Sequence, residues 1–536
     1  MHWILYIPLL LGLSLGCRSK SETHPTVGTT TPETPRVTLC TGMASTLPLG
    51  NWPPPAVRTG IGTSHLTLTT RNPQAQRWFD QGLNLLHDFW HIEAYRAFQQ
   101  VIKADSSCPM GYWGLAMCQP GFGGTDSRVW VQAIDKANAL KANSPPFHKA
   151  LIEASSILVK QGIAQAVFPF RNLYKTYSSE PEALAFAAIV LRQQPDEALQ
   201  QEAKTLLETA LGQFPTHIGL LHYYVHVMET RPEFSQATEA ARRIVSLAPN
   251  APHLTHMPGH LYFRAGQYQK AADVFRRARQ QEMAYHRTQQ LPLVADQNYL
   301  HNLHYLAVSL AELGQKDNAL EAANAYATIS LGQTPPTTGA ALMLLYEGRI
   351  LPTFIHIRYR EFTKANATLN GWLNSLDMPL TNPLVRTYLQ AMQAYCRGMA
   401  AIDTGNGQAA NQQGMQLTQL LKSFEQQGIQ QQGRAEFKAI NETFDILSMA
   451  RYELAGWIDN LDATRPFNNS AWNEALELEK AIHYDEPPRL MYPIGESLGR
   501  LHLYRHDTQN ASLALAQALQ KRPKSPFIRQ LLAKSG

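Results

Sequence analysis

Apolar residues recur at intervals of three and four from about residue 70 onward, and few stretches alternate strictly between apolar and polar. This spacing is typical of helices that bury one face each. The N-terminal part differs, because residues 3–16 form one continuous apolar run and residues 18–60 are rich in Thr, Pro and Ser. The pattern predicts an all-α body that begins near residue 71.

A repeat organises the helical part. Ala203, Ala237 and Ala271 are spaced by 34 residues, and Pro215 and Pro249 each follow one of these alanines by 12. Thirty-four residues is the tetratricopeptide period, in which small residues allow two helices to cross closely and proline ends the second helix. Because one such pair cannot bury its apolar face alone, stacked pairs share a continuous core. We therefore expect a tetratricopeptide-type helix-turn-helix solenoid, a right-handed superhelical array.

Further units fit the same frame and set the expected domain boundaries. Gly, Ala and an aromatic residue or Pro recur at equivalent places near residues 82–98, 259–275 and 499–523, and Ala319 anchors another unit. The stretch 331–460 has helical patterning without clean repeat signatures. The expected organisation is a signal segment at 1–17, a tether at 18–70, an N-terminal solenoid at 71–330, degenerate helical repeats at 331–460 and a C-terminal unit at 461–536.

The N-terminus predicts export. The apolar run at 3–16 is too short to span a bilayer but has the size of a signal-peptide core, and it ends at Gly16-Cys17. A small residue before Cys is the pattern of a bacterial lipoprotein signal, in which Cys17 would be lipidated. No Lys or Arg precedes the run, and Ser14 occupies a place where Leu is usual. The expectation is a membrane-anchored protein on the periplasmic side, or a secreted one if the signal is an ordinary one.

Charge and cysteine content exclude two classes of function. The formal net charge is +5 and is spread along the chain, so no basic patch predicts nucleic-acid binding. No pair of cysteines has C-x-x-C spacing, which excludes a zinc ribbon or a redox motif. Cys40, Cys108, Cys118 and Cys396 are expected to be core thiols.

Histidines recur in phase with the repeat. His222, His226 and Glu229 share one face of a helix, as do His256 and His260. His222, His256 and His304 each lie 15 residues before the small residue of their unit, and His226 and His260 lie 11 before theirs. His253 and His301 both lie 18 before. Since equivalent positions of stacked repeats face the same way, these seven histidines are expected to line the concave groove of three consecutive units.

Two kinds of site fit this ladder. Imidazole is a common ligand of borderline transition metals, so His222, His226, Glu229, His256, His260 and His304 could hold zinc, copper or iron. Alternatively, a metal-free groove that includes Tyr262 and all seven histidines could bind a protein or peptide ligand. Phosphate-binding Gly loops, nucleophile elbows, HExxH and dinucleotide fingerprints do not occur in the sequence.

Several blocks together resemble a group of bacterial tetratricopeptide-repeat proteins of about this length. The blocks are F-x-H-x-E-A from Phe89, Y-W-G from Tyr112, H-Y-Y-x-H-x-x-E from His222, H-M-P-x-H-x-Y-x-R from His256, H-N-L-H from His301 and Y-x-E-P-P from Tyr484. The resemblance implies an exported helical-repeat protein and supplies no catalytic residues. Tyr484 and Glu486 could close over the groove and add an oxygen ligand or an acid/base group.

The leading expectation is an envelope-tethered module that binds a protein or peptide in its concave groove. The alternative is a metal-dependent enzyme or metal carrier that uses the histidines. Fold alone decides neither.

Overall fold

The computed structural model describes residues 54–119, 127–332, 339–375, 382–432, 437–482 and 486–536. The predicted signal segment, Cys17 and the tether up to residue 53 lie outside these ranges. Within them the secondary structure is helical, with no strand. None of the helices in the described ranges has the length and apolar character needed to cross a bilayer.

The N-terminal part of the stack contains four helix pairs. Asn72 caps the first helix by accepting a hydrogen bond from the backbone N–H of Gln74, and Pro73 occupies its first turn. The helices are α1 Pro73–His87, α2 His91–Ala104, α3 Pro109–Met117, α4 Ser127–Leu140, α5 Pro146–Gln161, α6 Ile163–Thr176, α7 Pro181–Arg192 and α8 Glu197–Gln213, with a 3₁₀ turn at Lys141–Asn143.

The next three pairs carry the histidines. They are α9 Ile218–Glu229 with α10 Thr238–Leu247, α11 Pro252–Arg264 with α12 Tyr268–Gln289, and α13 Gln297–Glu312 with α14 Lys316–Ala327; 3₁₀ turns occupy Phe234–Ala237 and Leu293–Ala295. Helix α11 begins 34 residues after α9, as the repeat predicts. Pro252 starts α11 and Pro258 lies inside it, so His253 and His256 are helical.

The remaining chain continues the helical array. It comprises α15 Gly339–Met343, a π-helical turn Leu344–Gly348, α16 Leu351–Arg358, α17 Phe362–Leu373, α18 Pro383–Asp403, α19 Gly407–Ile429, α20 Phe437–Asn460, α21 Ser470–Ala481, α22 Ile494–Tyr504, α23 Thr508–Lys521 and α24 Pro526–Ser535. Each of the longer helices packs mainly against the next one in sequence, which is the arrangement of a solenoid.

Contacts inside the pairs confirm the predicted repeat. A Cβ atom at Gly82 would meet the ring of Phe98 at 2.8 Å, and one at Gly259 would meet the ring of Phe275 at 2.7 Å. Both glycines precede their aromatic partners by 16 residues, so the two units use the same crossing. The alanines chosen from the sequence are all fully buried: Ala94, Ala203, Ala237, Ala271, Ala319 and Ala511.

The segment 54–70 belongs to the folded body. It is extended, and Ile61, Leu66 and Leu68 are buried against the helices. The side chain of Asn84 accepts a hydrogen bond from the Ser64 N–H at 2.9 Å and donates one to its carbonyl at 2.8 Å. The ordered body therefore begins before the predicted boundary at residue 71, because this segment has its own apolar residues to bury.

The C-terminal unit returns to the histidine-bearing part of the stack. Arg358 is buried and forms ion pairs with Glu312 at 3.0 Å and Glu496 at 2.9 Å, and it donates to the Ser525 hydroxyl at 3.1 Å. The Tyr268 hydroxyl donates to the carbonyl of Pro523 at 2.9 Å. These contacts hold α22–α24 against the units formed by α11–α14.

Cys108, Cys118 and Cys396 are buried and carry free thiols, as expected from their spacing.

Candidate metal centre

Six histidines converge where α9, α11 and α13 lie side by side. Five of the imidazoles are completely shielded from solvent, and His301 is 6% exposed. We call this set the six-histidine cluster: His222 and His226 from α9, His253, His256 and His260 from α11, and His301 from α13.

The cluster consists of two adjoining triads. One ligand atom from each of His222, His226 and His253 lies within 4.8 Å of the other two, and the same holds for His256, His260 and His301. The rings of His253 and His256, one from each triad, have centroids 4.4 Å apart. The six imidazoles therefore form a continuous group with two points of convergence.

Oxygen atoms hold the Nδ1 side of five of the six rings. Because carbonyl, carboxylate and amide oxygens accept hydrogen bonds, each of these Nδ1 atoms donates, and the Nε2 atom of a neutral ring then carries a lone pair. The acceptors are the carbonyl of His87 for His222 (2.5 Å), Glu229 Oε1 for His226 (2.5 Å), Asn298 Oδ1 for His253 (3.1 Å), Asn302 Oδ1 for His256 (2.8 Å), and both Glu229 Oε2 (3.0 Å) and Glu486 Oε1 (2.7 Å) for His260.

The Nε2 atoms face one another or face no partner at all. The Nε2 atoms of His222 and His253 are 3.0 Å apart, and those of His260 and His301 are 3.1 Å apart. The Nε2 atoms of His226 and His256 have no hydrogen-bond partner among the described residues. A buried polar atom left without a partner costs about 1–3 kcal/mol. An arrangement that orients Nδ1 and leaves Nε2 open is that of metal-ligating histidines.

Burial keeps most of the cluster neutral. Desolvation, followed by repulsion from neighbouring imidazoles, holds the pKa of His222, His253, His256 and His301 well below the usual value. Burial also disfavours protonation of His260, but Glu486 and Glu229 outweigh it and raise the pKa of His260 to about 9. Neutral imidazoles are the form that binds metal ions.

Two buried carboxylates connect the triads. Glu229, the last residue of α9, reaches His226 with one oxygen and His260 with the other. Burial alone would raise its pKa, but His226 and His260 hold the pKa of Glu229 well below the usual value. Glu486 approaches from the C-terminal part of the chain and also lies 3.7 Å from His301 Nε2. A ligand atom of His226 lies within 4.8 Å of oxygens from both carboxylates.

The structure brings together most of the predicted residues and separates two. His304 lies outside both triads, since its Nδ1 is 3.5 Å from Glu347 and its ring faces Tyr326. Tyr262 is partly exposed and lies near Lys270. The histidines do not lie in the open groove expected from the repeat: they are buried, because Phe89 packs on the first triad and Glu486 contacts His260 and His301 of the second. Tyr484 lies outside the described residues.

Sequence reasoning missed the residues that orient the rings. Asn302 donates to both oxygens of Glu282 at 2.7 Å, which fixes its amide oxygen toward His256. Asn302 lies inside the H-N-L-H block, so the sequence marked this residue, but it did not show that the side chain orients His256. The Phe89 ring contacts three imidazoles of the first triad, with centroid distances of 4.6 Å to His222 and 5.6 Å to His226 and His253. Only its place in the F-x-H-x-E-A block marked it.

A second buried group of similar composition lies beside the first. His87, Glu182 and His217 also have ligand atoms within 4.8 Å of one another, and we call them the Glu182 cluster. Glu182 accepts from His87 Nε2 at 2.7 Å and from His217 Nε2 at 2.9 Å. The remaining nitrogens are also bonded: His87 Nδ1 lies 3.0 Å from the Tyr223 hydroxyl, and His217 Nδ1 accepts from the Leu220 N–H.

Comparison with known proteins gives remote likenesses only. No protein-family model matches the chain, and no curated protein matches it. Among solved structures, the Cut9–Hcn1 hetero-tetramer matches at 13% identity over 88% of this chain and 78% of the other, with a TM-score of 0.34. A tetratricopeptide repeat protein from Parabacteroides merdae matches at 13% identity over 73% and 98%, with a TM-score of 0.23. IFIT1 with m7Gppp-AAAA matches at 13% identity over 86% and 96%, with a TM-score of 0.35. Similarity at this level carries no information about activity.

Proposed function

We propose that this protein is a metal-dependent enzyme with a buried dinuclear transition-metal centre in the six-histidine cluster. One arrangement carries the proposal: a ligand nitrogen from each member of a triad lies within 4.8 Å of the other two, and the Nε2 atoms of His226 and His256 lack any hydrogen-bond partner in the described part of the chain. A metal ion in each triad would give the Nε2 atoms of His226 and His256 the partner that they lack.

The distances fit such ions with small adjustment. Zinc–nitrogen bonds of about 2.0–2.1 Å in tetrahedral geometry place two ligand nitrogens about 3.3 Å apart. The facing Nε2 pairs are 3.0 and 3.1 Å apart, so each pair would open by a few tenths of an ångström. The carboxylates of Glu229 and Glu486 lie at the cluster and would offset part of the charge of two divalent ions.

The three imidazoles of each triad suit zinc or copper. The oxygens of Glu229 and Glu486 near His226 would also allow the histidine–carboxylate ligand set of a non-haem iron site. Three protein ligands per ion leave a fourth position for water or substrate, which is the arrangement of catalytic sites. Burial of the ligands supports a resident ion, because a carrier must release its ion to a partner. A redox reaction and a hydrolytic one are both compatible with this set.

Metal content tests the proposal directly. Full-length protein, loaded with zinc or copper and dialysed, should contain about two ions per chain by elemental analysis. His301→Ala should lose one ion and His222→Ala with His256→Ala should lose both. His304→Ala is the matched control, since it removes a buried imidazole from the same helix but outside both triads, and it should keep two.

Thermal unfolding followed by circular dichroism verifies that each variant is folded. Folded wild-type protein that retains no stoichiometric metal would overturn the proposal. Equal metal loss from the His301 and His304 variants would show that ions bind elsewhere.

The scaffold role predicted from the solenoid stays a second candidate, and it applies to surfaces other than the buried histidines. Envelope anchoring is likewise a proposal that rests on the apolar run at 3–16 and Cys17. Lipid labelling of cells that express the full chain, with Cys17→Ser as control, tests the anchor. Label incorporation that is equal in both would refute it.

A further inference from the structure

A cleft of about 490 Å³ opens beside the second triad, between the end of α11 and the C-terminal unit. Its volume falls within the range of pockets for small molecules, roughly 300–1,000 Å³. Its apolar walls include Phe263, Ile482, Pro488, Leu490 and Pro493. Neither the sequence motifs nor the metal proposal accounts for this cavity.

The floor of the cleft touches the six-histidine cluster. Tyr305 lines the cleft, and its ring also stacks on His260 with centroids 4.8 Å apart and meets the edge of His301 at 5.1 Å. Arg264 lines the cleft as well, and its guanidinium donates to the backbone carbonyls of Glu229 and Arg231. One aromatic ring therefore separates a bound molecule from two of the proposed ligands.

The charges that line the cleft favour an anion. Three cationic side chains and one carboxylate line the cleft: Arg264, Lys521 and Arg522, and Glu479. The Glu479 carboxylate lies 3.3 Å from the Lys521 ammonium. The Arg522 guanidinium donates to the Leu490 carbonyl at 2.8 Å and lies 5.1 Å from the centre of the Phe263 ring. No carboxylate of the described residues lies within ion-pair distance of Arg522. A guanidinium has five N–H donors, so Arg522 retains donors for a ligand.

We propose that this cleft binds a small organic anion, a carboxylate or phosphate attached to an apolar body. The arginines would bind the charged group and the Phe263–Leu490 walls would bind the body. Its role as a substrate site rests on the proposed metal centre, whereas binding itself can be measured without metal.

Calorimetric titration of the full-length protein tests the cleft with three probes of similar size. Phenylacetate and phenyl phosphate should bind, and 2-phenylethylamine, which carries the opposite charge, should not. Arg522→Gln should weaken binding of both anions at least about tenfold, because a charge-assisted hydrogen bond is lost. Arg522→Lys should give an intermediate loss, since the positive charge stays. Lys524→Gln is the matched control: it removes the same charge from an exposed position nearby and should leave affinity unchanged.

The anion preferred by the cleft follows from comparing the first two probes. Equal binding of the amine and the acids, or full affinity in folded Arg522→Gln, would overturn the proposal. Binding of an acidic peptide but of neither acid would assign the cleft to a polypeptide partner and also overturn it.

Running the titration on chelator-treated and metal-loaded protein separates this proposal from the previous one. Anion binding by protein that takes up no metal would support the anion site and refute the metal centre. Stoichiometric metal without anion binding would support the metal centre and refute the anion site.

Discussion

The six-histidine cluster and the Glu182 cluster have similar composition and burial but opposite hydrogen-bond states. In the Glu182 cluster, every ring nitrogen of His87 and His217 has a partner, and both oxygens of Glu182 are used. In the six-histidine cluster, the Nε2 atoms of four rings face one another in pairs, and those of His226 and His256 have no hydrogen-bond partner within the described ranges. Proximity of ligand-type atoms therefore does not identify a metal site. Convergence together with hydrogen bonds left unmade points to one, because a buried lone pair needs a proton or a cation. The ring nitrogens of His304 also lack hydrogen bonds among the described residues, but His304 belongs to neither triad.

The largest effect on metal affinity is expected when Nε2 atoms are removed from both triads of the six-histidine cluster. His226→Ala combined with His256→Ala should lower affinity for each ion more than about 10³-fold, which is over about 4 kcal/mol per ion. The metal-free form should also lose unfolding free energy, because the substitutions remove the Nδ1 hydrogen bonds to Glu229 and Asn302. Competition with a calibrated chelator and chemical unfolding of the metal-free protein measure the two effects. Metal affinity equal to that of the wild type would contradict the assignment of these rings as ligands.

At the Glu182 cluster, we expect a loss of stability without a loss of metal. Glu182→Ala leaves the buried imidazole of His87 and the partly buried imidazole of His217 without their acceptor, and the metal-free protein should lose about 3–5 kcal/mol of unfolding free energy. Metal stoichiometry should stay at the wild-type value. Denaturant titration gives the stability loss, and elemental analysis gives the metal content. Loss of metal from a folded Glu182→Ala protein would mean that the two clusters work as one site.

Removal of an orienting group should have a smaller effect. Asn298→Leu deletes the oxygen that accepts from His253 Nδ1 but keeps all six imidazoles. We expect metal affinity in the first triad to fall about 10–100-fold, as for other groups that orient metal ligands. Asn298→Asp keeps an oxygen acceptor and should retain most of the affinity. If both variants bind like wild type, the Nδ1 contacts do not prepare the site.

Acid should weaken the Glu182 cluster in a defined direction. Burial opposes ionisation of Glu182, but His87 and His217 outweigh it and hold the pKa of Glu182 well below its usual value. The unfolded chain takes up the proton near pH 4.3, so this contribution is present above that pH and is lost as pH falls below it. The slope for one proton is at most about 1.4 kcal/mol per pH unit. Unfolding free energies of metal-free wild type and Glu182→Gln should converge as the pH falls below about 4.3; a constant difference would contradict the linkage.

The sequence predicted the crossings of the helix pairs because the 34-residue spacing marks where two backbones must approach. It also placed His222, His226, His253, His256 and His260 together, since α9 and α11 follow that spacing. It failed at His304, because α13 begins 45 residues after α11 and the 22-residue α12 intervenes. There His301 faces α11, while His304 faces the π-helical turn that carries Glu347.

The periodicity of the sequence could not predict that the six-histidine cluster is buried. Its burial depends on Phe89, which precedes α2, and on Glu486 from the C-terminal unit, and both make long-range contacts with the histidines. A pattern read unit by unit carries no information about which distant units meet. The fold of residues 54–70 was not predicted either. Leu66 and Leu68 are surrounded by threonines, as in a linker, and their burial also depends on contacts with distant parts of the chain.

The position of Glu486 sets an order of events during biosynthesis. The ribosome completes α9, α11 and α13 before it reaches Glu486, whose carboxylate contacts His260 and His301. The second triad therefore gains this contact only when the C-terminal residues dock, whereas Phe89, which packs on the first triad, is synthesised before α9. A chain that ends upstream of Glu486 would carry the second triad without this carboxylate.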